Sequence, residues 1–419
     1  GDRDNDRGTR SKKKIGTWGS YVIMVNSIIG PGIVVLPLTF QRVGWGWTLM
    51  LLIGYCVVST LCVLFLADAM TKIPGNDNHR GRVEFLQLAE TFLGTQTYRV
   101  VIGLFFASLM ATSVSAIVQA SQVIDHASLS VGSACALQMT PKLEFVCVGE
   151  TDSPFSDSVF GDSWVLSLGL VVLFVAACPL SFLSLSDNLR VQLVSFLALS
   201  FVCLVWCGYF VTLGLKNKVP AFGSSGSSFA FVLFNFAYVV TAPSWINEKQ
   251  PGVDVHEILV AASGTGLLFF TVPCLLAALS INFEGSETLL AYLTREDSPV
   301  IIQMMTFVYT VSELITCIPI VSIVMRNNLI ENEIIKNRSL ANLVAIGLPW
   351  IFAFLSYGGD NVNYILVWAG IITAGPLNFI VPAGVFLLTT KYTLIESADD
   401  YSGTGERKAE DVKLGVTRR

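Results

Sequence analysis

Long apolar stretches follow one another along almost the whole chain, separated only by shorter polar segments. A helix needs about 20 mostly apolar residues to cross about 30 Å of hydrocarbon, and ten stretches reach or approach that length. In chain order they are residues 17–40, 45–70, 98–124, 163–185, 189–214, 228–246, 256–280, 300–325, 340–356 and 363–388. Their apolar residues occupy consecutive positions and do not alternate as in the strands of a membrane barrel. The pattern predicts an all-α polytopic membrane protein with about ten transmembrane helices, numbered here as spans 1 to 10.

The amino-acid composition of the chain excludes several classes of protein. The 419 residues are 53% hydrophobic and 14% charged, whereas soluble domains carry about 25% charged residues. Because the apolar stretches run from Ile15 to Leu388, they are not a single anchor attached to a soluble domain. An anchored soluble enzyme, a secreted disulfide scaffold and a nucleic-acid-binding protein are therefore excluded.

The distribution of Lys and Arg predicts the orientation of the chain. These residues concentrate in the tails and in the loops on the N-terminal side of the membrane, and such loops usually face the cytoplasm. We expect cytoplasmic tails at residues 1–14 and 391–419 around a transporter domain at residues 15–390. The plasma membrane and a vacuolar or lysosomal membrane fit the sequence equally well.

The cysteines divide into two groups. Cys135 and Cys147 lie in the predicted outer loop between spans 3 and 4, where an oxidising compartment favours a disulfide between them. The other cysteines fall within spans and are expected to act as small packing groups. The sequence contains no CxxC motif or His-rich cluster, so we expect no metal site.

Span 1 contains the segment Asn26-Ser-Ile-Ile-Gly-Pro-Gly-Ile33 near its middle. Pro31 removes a helical hydrogen bond, and Gly30 and Gly32 lower the cost of non-helical backbone. A helix broken at this depth exposes backbone groups that bind charged ligands. A simple proline kink is the alternative interpretation.

Span 6 contains polar Asn235 and, later, Pro243. Spans 1 and 6 are each the first of five spans, and matching interruptions in both halves indicate an inverted repeat with a central site. The signal is weaker here, because no glycine accompanies Asn235, and ordinary helix packing explains it about as well. Nearby Phe236 and Tyr238 are candidates for an apolar side-chain pocket, although lipid-facing aromatic residues are equally ordinary.

Spans 3 and 8 each carry polar residues at intervals of three and four positions, which places them on one helix face. In span 3 they are Ser108, Thr112, Ser115, Gln119 and Gln122, and in span 8 Thr306, Tyr309, Thr310, Glu313, Thr316 and Cys317. Single hydroxyl groups in membrane helices often bond to their own backbone. Two such faces on matching spans predict the walls of a pathway.

Glu313 is the charged residue placed most deeply within a span. A charge at the bilayer midplane costs about 2.5–3.5 kcal/mol, so this carboxyl must be protonated, paired or hydrated. The position suits a proton-coupling group, while a neutral structural glutamic acid is the alternative.

Several motifs resemble the amino acid/auxin permease family, including its eukaryotic microbial members. They are Asn26–Pro37 followed by Gly44-Trp45, Pro243–Lys249, Ile318-Pro319, Val324–Leu329 and Asn378–Pro382. The similarity covers about residues 15–390. Most members of that family have an eleventh helix, so this sequence either lacks it or is incomplete.

The resemblance implies a LeuT-like 5+5 inverted repeat, with repeats at about residues 15–215 and 226–390. It also implies secondary transport of amino acids driven by a proton or sodium gradient. Expected substrate-binding residues are Ser27, Gly30, Pro31, Gly32, Ser115, Asn235, Phe236 and Tyr238, and expected ion-coupling residues are Asn26, Glu313 and Thr316. Asn26 matches a cation ligand of sodium-coupled relatives, whereas Glu313 favours protons.

These observations predict a monomeric amino acid transporter that works by alternating access in the lipid bilayer, without cofactor, nucleic acid or covalent chemistry. An amino-acid-sensing membrane protein with the same fold is the alternative. A channel is disfavoured because no filter loop is evident. The Gly358-Gly-Asp360 segment lacks a second buried aspartate for an intramembrane protease.

Overall fold

The computed structural model describes residues 14–129, 132–139, 142–149, 158–161, 163–223, 232, 235–283, 288–295, 297–358 and 368–390. The predicted tails therefore lie outside the described residues, except for Lys14. The described part is mostly helical. Its helices are α1 (Thr17–Ile28), α2 (Leu36–Val43), α3 (Trp45–Thr71), α4 (Phe85–Leu129), α5 (Leu168–Ser181), α6 (Leu189–Leu213), α7 (Ala242–Glu248), α8 (Val255–Ser280), α9 (Leu289–Leu293), α10 (Val300–Glu331), α11 (Arg338–Leu355) and α12 (Ile372–Thr390). Its strands are β1 (Ser133–Gln138), β2 (Glu144–Gly149) and β3 (Val165–Ser167).

Seven of these helices are long and apolar enough to cross a membrane, namely α3, α4, α6, α8, α10, α11 and α12. They match predicted spans 2, 3, 5, 7, 8, 9 and 10. Span 1 is divided between α1 and α2, and α5 is an apolar helix of only 14 residues. The described part of span 6 is a short helical turn followed by α7, and most of residues 228–234 lie outside the described residues.

Helix α4 is longer than predicted span 3, which was assigned to residues 98–124. It runs for 45 residues and bends at Gly94, whose φ of 77° is unfavourable for any residue with a side chain. The stretch before Gly94 is therefore a separate helical segment that leads into the span. Apolar periodicity missed it because this stretch contains charged Glu90 beside its buried residues.

A three-stranded antiparallel sheet follows α4, with strand order β2-β1-β3, so the all-α prediction was incomplete. Predicted span 4 was also too long, since Val165–Ser167 forms β3 and the helix begins only at Leu168. The predicted disulfide between Cys135 and Cys147 is confirmed, and the two residues lie opposite each other in the β1–β2 register. The bond therefore joins two strands of a surface sheet.

The long helices pack around α8 and α4, and α6 contacts both α8 and α10. Helix α8 contacts α1, α2, α3 and α6, while α4 contacts α5, α10 and α11. Large apolar side chains on the outside remain exposed, among them Leu204, Val194 and Val175. An exposed apolar surface of this kind is typical of a protein that faces lipid.

The two ends of the bundle are closed by different contacts. At one end, named here the Ile15 end, Ile15 pairs with Lys249 beyond α7 in a parallel bridge. At the other end, the Trp45 amide donates to the carbonyl of Pro220 over 3.0 Å, and the Gly223 amide donates to that of Val43 over 2.7 Å. Helix α4 begins at the Ile15 end and leads into the sheet at the opposite end.

Candidate functional site

The predicted interruption of span 1 is confirmed. Helix α1 ends at Ile28, Ile29 and Gly30 are extended, and Pro31–Val34 forms a short 3₁₀ turn before α2 begins. Pro31 opens this turn, where its lack of an N–H group costs no helical hydrogen bond. The local sequence therefore produces two half-helices joined by about seven residues of non-α backbone.

The backbone of span 6 is also irregular. Residues 236–238 form a turn, Val239–Thr241 a 3₁₀ segment, and α7 begins at Ala242. Side chains from other helices satisfy this backbone: Ser59 donates to the carbonyl of Phe236 over 2.8 Å, and Asn378 accepts from the Val239 amide over 3.0 Å. Irregular backbone within a membrane requires such partners. Ser59 and Asn378 are thus supporting residues that lie on otherwise apolar helices.

The two interrupted segments touch each other. A Cβ atom built on Gly32 would overlap the side-chain amide of Asn235. By contrast, a Cβ on Gly30 would meet no atom within 4 Å. The two interrupted segments can therefore approach each other closely only because residue 32 is a glycine. At position 30 a side chain would not obstruct this approach.

A cavity lies beside this contact, between the interrupted segments and helices α4 and α10. Its polar side is formed by Asn26, Ser27, Gly30, Gly32 and Asn235. Residues of three other segments also line the cavity: Ser108, Leu109 and Thr112 of α4, Val240 and Thr241 of span 6, and Cys317, Ile320 and Val321 of α10. The cavity is thus polar at the helix breaks and largely apolar toward α10.

The predicted substrate residues divide into two groups. Ser27, Gly30, Gly32 and Asn235 line the cavity together with Asn26, and Pro31 lies within the same 3₁₀ turn. Three others do not line it: Ser115 accepts from Gln119 of its own helix over 3.2 Å, whereas the Phe236 ring packs against Phe270 of α8, and the Tyr238 hydroxyl lies 2.7 Å from that of Ser263 in α8.

Asn26 and Thr316 are connected through Gln192 of α6. The Asn26 amide donates to the Gln192 side-chain oxygen over 2.7 Å and to its backbone carbonyl over 3.0 Å. The Gln192 amide donates to the Thr316 carbonyl over 3.3 Å, and the Ser195 hydroxyl lies 3.2 Å from that of Thr316. Sequence patterns missed Gln192, although an amide in an otherwise apolar span was an available signal.

Glu313 lies in a π-helical turn, Thr310–Leu314, within α10. Its side chain is 1% exposed, and neither carboxyl oxygen has a hydrogen-bond partner among the described residues. The Tyr309 ring nearby packs on that of Trp206, with 5.1 Å between ring centroids. Cys317, one turn farther along α10, lines the cavity. A π turn is frequent at functional sites because it displaces side chains from their regular helical positions.

Comparison with known families identifies the class of protein. Residues 13–225 match the tryptophan/tyrosine permease family, and this match covers just over half of the chain. The chain belongs to the tryptophan/tyrosine permease family. This family is part of the amino acid/auxin permease clan, so the resemblance seen in the sequence is confirmed at that level. The eukaryotic assignment gains no support from the match.

The permease is therefore a multi-pass amino acid transporter and not an enzyme. Its family implies aromatic amino acids as substrates. No curated protein matches the sequence. The match includes both the interrupted first span and the Gln192 position of this permease.

Replacing Gln192 with leucine removes the side-chain link between Asn26 and Thr316. We expect about a 10- to 100-fold loss of tryptophan uptake, because a buried hydrogen bond is lost and the Asn26 amide keeps only a backbone partner. Gln119→Leu is the matched control, since the Gln119 amide bonds to Ser115 within its own helix. Initial uptake rates in liposomes measure both variants, and equal rates for Gln192→Leu and wild type would contradict a role for this link.

Proposed function

We propose that this permease carries aromatic amino acids across the membrane by proton-coupled alternating access. The main support is the cavity at which the interrupted segments of spans 1 and 6 meet. A polar amino acid backbone needs groups that replace water, and broken helices provide such groups at membrane depth.

The lining suggests how the substrate is oriented. Its carboxylate and ammonium groups bind at the polar side, where Ser27, Gly30, Pro31 and Gly32 surround the helix break. Asn26 offers a buried Oδ1 that has no hydrogen-bond partner among the described residues and suits the substrate ammonium group. Asn235 completes this side from span 6.

The aromatic ring then extends toward the apolar part of the cavity. Leu109, Val240, Ile320 and Val321 offer this surface, and burial of an aromatic ring there is favourable. Phe236 and Tyr238 act from behind this lining, because their contacts with Phe270 and Ser263 hold the broken segment of span 6 against α8.

The proposed architecture is a LeuT-like inverted repeat, with one unit at about residues 15–215 and the other at about 226–390. The matching interruptions in spans 1 and 6 support it. Helices α1, α2, α3 and α8 and the interrupted sixth span would rock against α4, α5, α10 and α11. The N-terminal side faces the cytoplasm in this proposal, in keeping with the loop charges, and a monomer suffices.

Protons are favoured as the coupling ion by two observations. Glu313 is buried without a described hydrogen-bond partner, so an ionised form is costly and the group suits proton binding. Asn26 matches a cation ligand of sodium-coupled relatives, whereas Thr316 does not align with their helix 8 hydroxyl, and the two residues are bridged by the neutral Gln192 amide. A proton gradient drives substrate uptake if protonation and substrate binding favour the same conformation.

Uptake by the purified protein in liposomes tests this proposal. A panel of tryptophan, tyrosine, phenylalanine, leucine and alanine is supplied under a proton gradient or a sodium gradient. We expect tryptophan and tyrosine to accumulate only under the proton gradient, because the apolar cavity favours rings and Glu313 couples protons. Accumulation driven by sodium alone would contradict proton coupling, and a preference for alanine would contradict the orientation of the side chain.

A further inference from the structure

Another buried carboxyl group, Glu84, lies outside the cavity lining, at the Ile15 end of the bundle. Glu84 directly precedes α4 and is 3% exposed. The Ser244 hydroxyl donates to its Oε2 over 2.6 Å, the Asn247 amide to its Oε1 over 2.9 Å, and the Asn328 amide to its Oε2 over 3.2 Å. Helices α7 and α10 thus both bond to one carboxyl group.

The same amide side chains also hold the backbone beside Glu84. Asn247 accepts from the Val83 amide and donates to the Val83 carbonyl, each over 3.0 Å. Asn328 accepts from the Leu86 amide over 3.2 Å. The cluster of Glu84, Ser244, Asn247 and Asn328 therefore joins the start of α4 to α7 and to the end of α10.

Helix α7 is the part of this cluster that belongs to the interrupted sixth span. Just past Asn247, the Glu248 carboxylate accepts from the Ser186 amide over 2.9 Å, and the Glu248 carbonyl accepts from the Ile15 amide over 3.3 Å. These bonds close the Ile15 end around α7. Any opening of this end by movement of α7 must break the bonds from Ser244 and Asn247 to Glu84.

All three side-chain partners of Glu84 donate hydrogen bonds, and no described cation forms an ion pair with it. Charged groups on the surrounding elements are engaged elsewhere. Arg82 pairs with Glu331 at 3.4 Å, Glu248 bonds to Ser186, Lys249 donates to the Val253 carbonyl, and Arg326 donates to the carbonyls of Ser181 and Leu183. The carboxyl is thus desolvated without a partner of opposite charge in contact.

Burial raises the pKa of Glu84 to about 7 from an ordinary value of 4.5, although the hydrogen bonds from Ser244 and Asn247 lower it in part. The distant charges of Glu331 and Arg82 act in opposite directions on this pKa. At neutral pH the buried carboxyl is therefore present in both its protonated and its ionised form, whereas an exposed glutamate is almost wholly ionised.

We propose that Glu84, Ser244, Asn247 and Asn328 form a proton-linked latch that holds the Ile15 end closed until α7 moves away. The latch rests on the alternating access proposed above and adds a titratable site to it. Protonated Glu84 favours the closed latch, in which its O–H donates to the Ser244 hydroxyl oxygen, the one partner that can accept as well as donate. Opening exposes the carboxyl to water, which releases the proton on that side.

The direction of the pH effect follows from the two pKa values. The pKa of Glu84 is about 7 when the latch is closed and returns toward 4.5 when the group is hydrated. Protonation therefore stabilises the closed state fully below pH 4.5, and this contribution is lost as the pH rises through about 7. Acid on the latch side keeps that end closed, and alkaline solution favours opening.

Hydrogen–deuterium exchange of the full chain in lipid nanodiscs tests the latch without depending on transport. The peptides of interest cover residues 83–88 and 242–249, and protection is compared after correction for the intrinsic effect of pH. In the wild type we expect protection to fall between pH 5.5 and pH 8. Glu84→Gln imitates the protonated acid, so its protection should stay constant over this range.

Two further variants complete the experiment. Ser244→Ala removes one hydrogen-bonding partner of Glu84 conservatively, and we expect about tenfold lower protection at every pH because the buried carboxyl loses that bond in either protonation state. Glu90→Gln is the matched control, since Glu90 is an exposed carboxyl in the first segment of α4 and its loss should retain the wild-type pH dependence.

The latch is overturned if Glu84→Gln follows the wild-type pH dependence, or if Ser244→Ala leaves protection unchanged. Tryptophan uptake by the wild-type protein is measured in parallel. If the wild-type protein shows no tryptophan uptake but its exchange protection depends on pH, only the proposed function is contradicted. If tryptophan uptake is normal but the protection does not change with pH, only the latch is contradicted.

Discussion

Replacing Gly32 with alanine should reduce tryptophan uptake by about 100-fold or more, because small displacements of a bound substrate have effects of that size. The new Cβ would overlap the Asn235 amide, so the two interrupted segments must separate and the polar side of the cavity must widen. Initial uptake rates in liposomes, normalised to the reconstituted protein, measure the loss.

Gly54→Ala is the matched control for Gly32→Ala. Gly54 lies within α3, where a Cβ meets no atom within 4 Å, so uptake should remain at the wild-type rate. Thermal unfolding separates a distorted site from a protein that fails to fold. Wild-type uptake by a folded Gly32→Ala protein would show that the contact between the two breaks is not needed for transport.

Replacing Glu313 with glutamine should remove proton-driven accumulation while leaving tryptophan exchange between equal concentrations. Glutamine keeps the size of the side chain but carries no titratable proton, so protonation and substrate binding can no longer be coupled through it. We expect accumulation to fall by about 10- to 100-fold, in line with the usual strength of coupling between two sites.

Accumulation and exchange are measured on the same liposomes, with and without an inward proton gradient. Glu257→Gln is the control, because Glu257 is an exposed residue in the first turn of α8 and should not affect coupling. Undiminished proton-driven accumulation in Glu313→Gln would remove this residue from the mechanism. Loss of exchange as well would instead indicate a structural role.

These two variants address different parts of the same cavity. Gly32 concerns the contact between the helix breaks, whereas Glu313 lies one turn away from the lining residue Cys317. Coupling between them requires that the π turn of α10 respond to the broken first span. Gln192 connects the broken first span to α10, because its side chain bonds to Asn26 and to Thr316.

Much of the fold could be predicted from the sequence because membrane spans are encoded locally. Consecutive apolar residues identify the long helices, and the Gly30-Pro31-Gly32 segment predicts the break in span 1. The disulfide between Cys135 and Cys147 could also be predicted, since both cysteines lie in one loop of the predicted topology. Their sheet was not predicted, because short strands outside a membrane leave only a weak pattern.

The contacts that define the candidate site depended on packing between distant segments. Nothing local indicates that Gly32 touches Asn235, that Gln192 bridges Asn26 and Thr316, or that Ser59 supports the broken sixth span. These pairs lie more than 100 residues apart in the chain. Hydrophobic periodicity reports which face of a helix is buried and not which helix it meets.

The sequence by itself determined that the chain crosses the membrane repeatedly and that the first span is interrupted, because lipid admits only helices with satisfied backbone groups and proline removes one such bond. The tertiary structure alone decided which polar side chains meet at the cavity and around Glu84. Burial and hydrogen bonding of a side chain depend on neighbours that are remote in sequence, so these properties arise only when the helices pack.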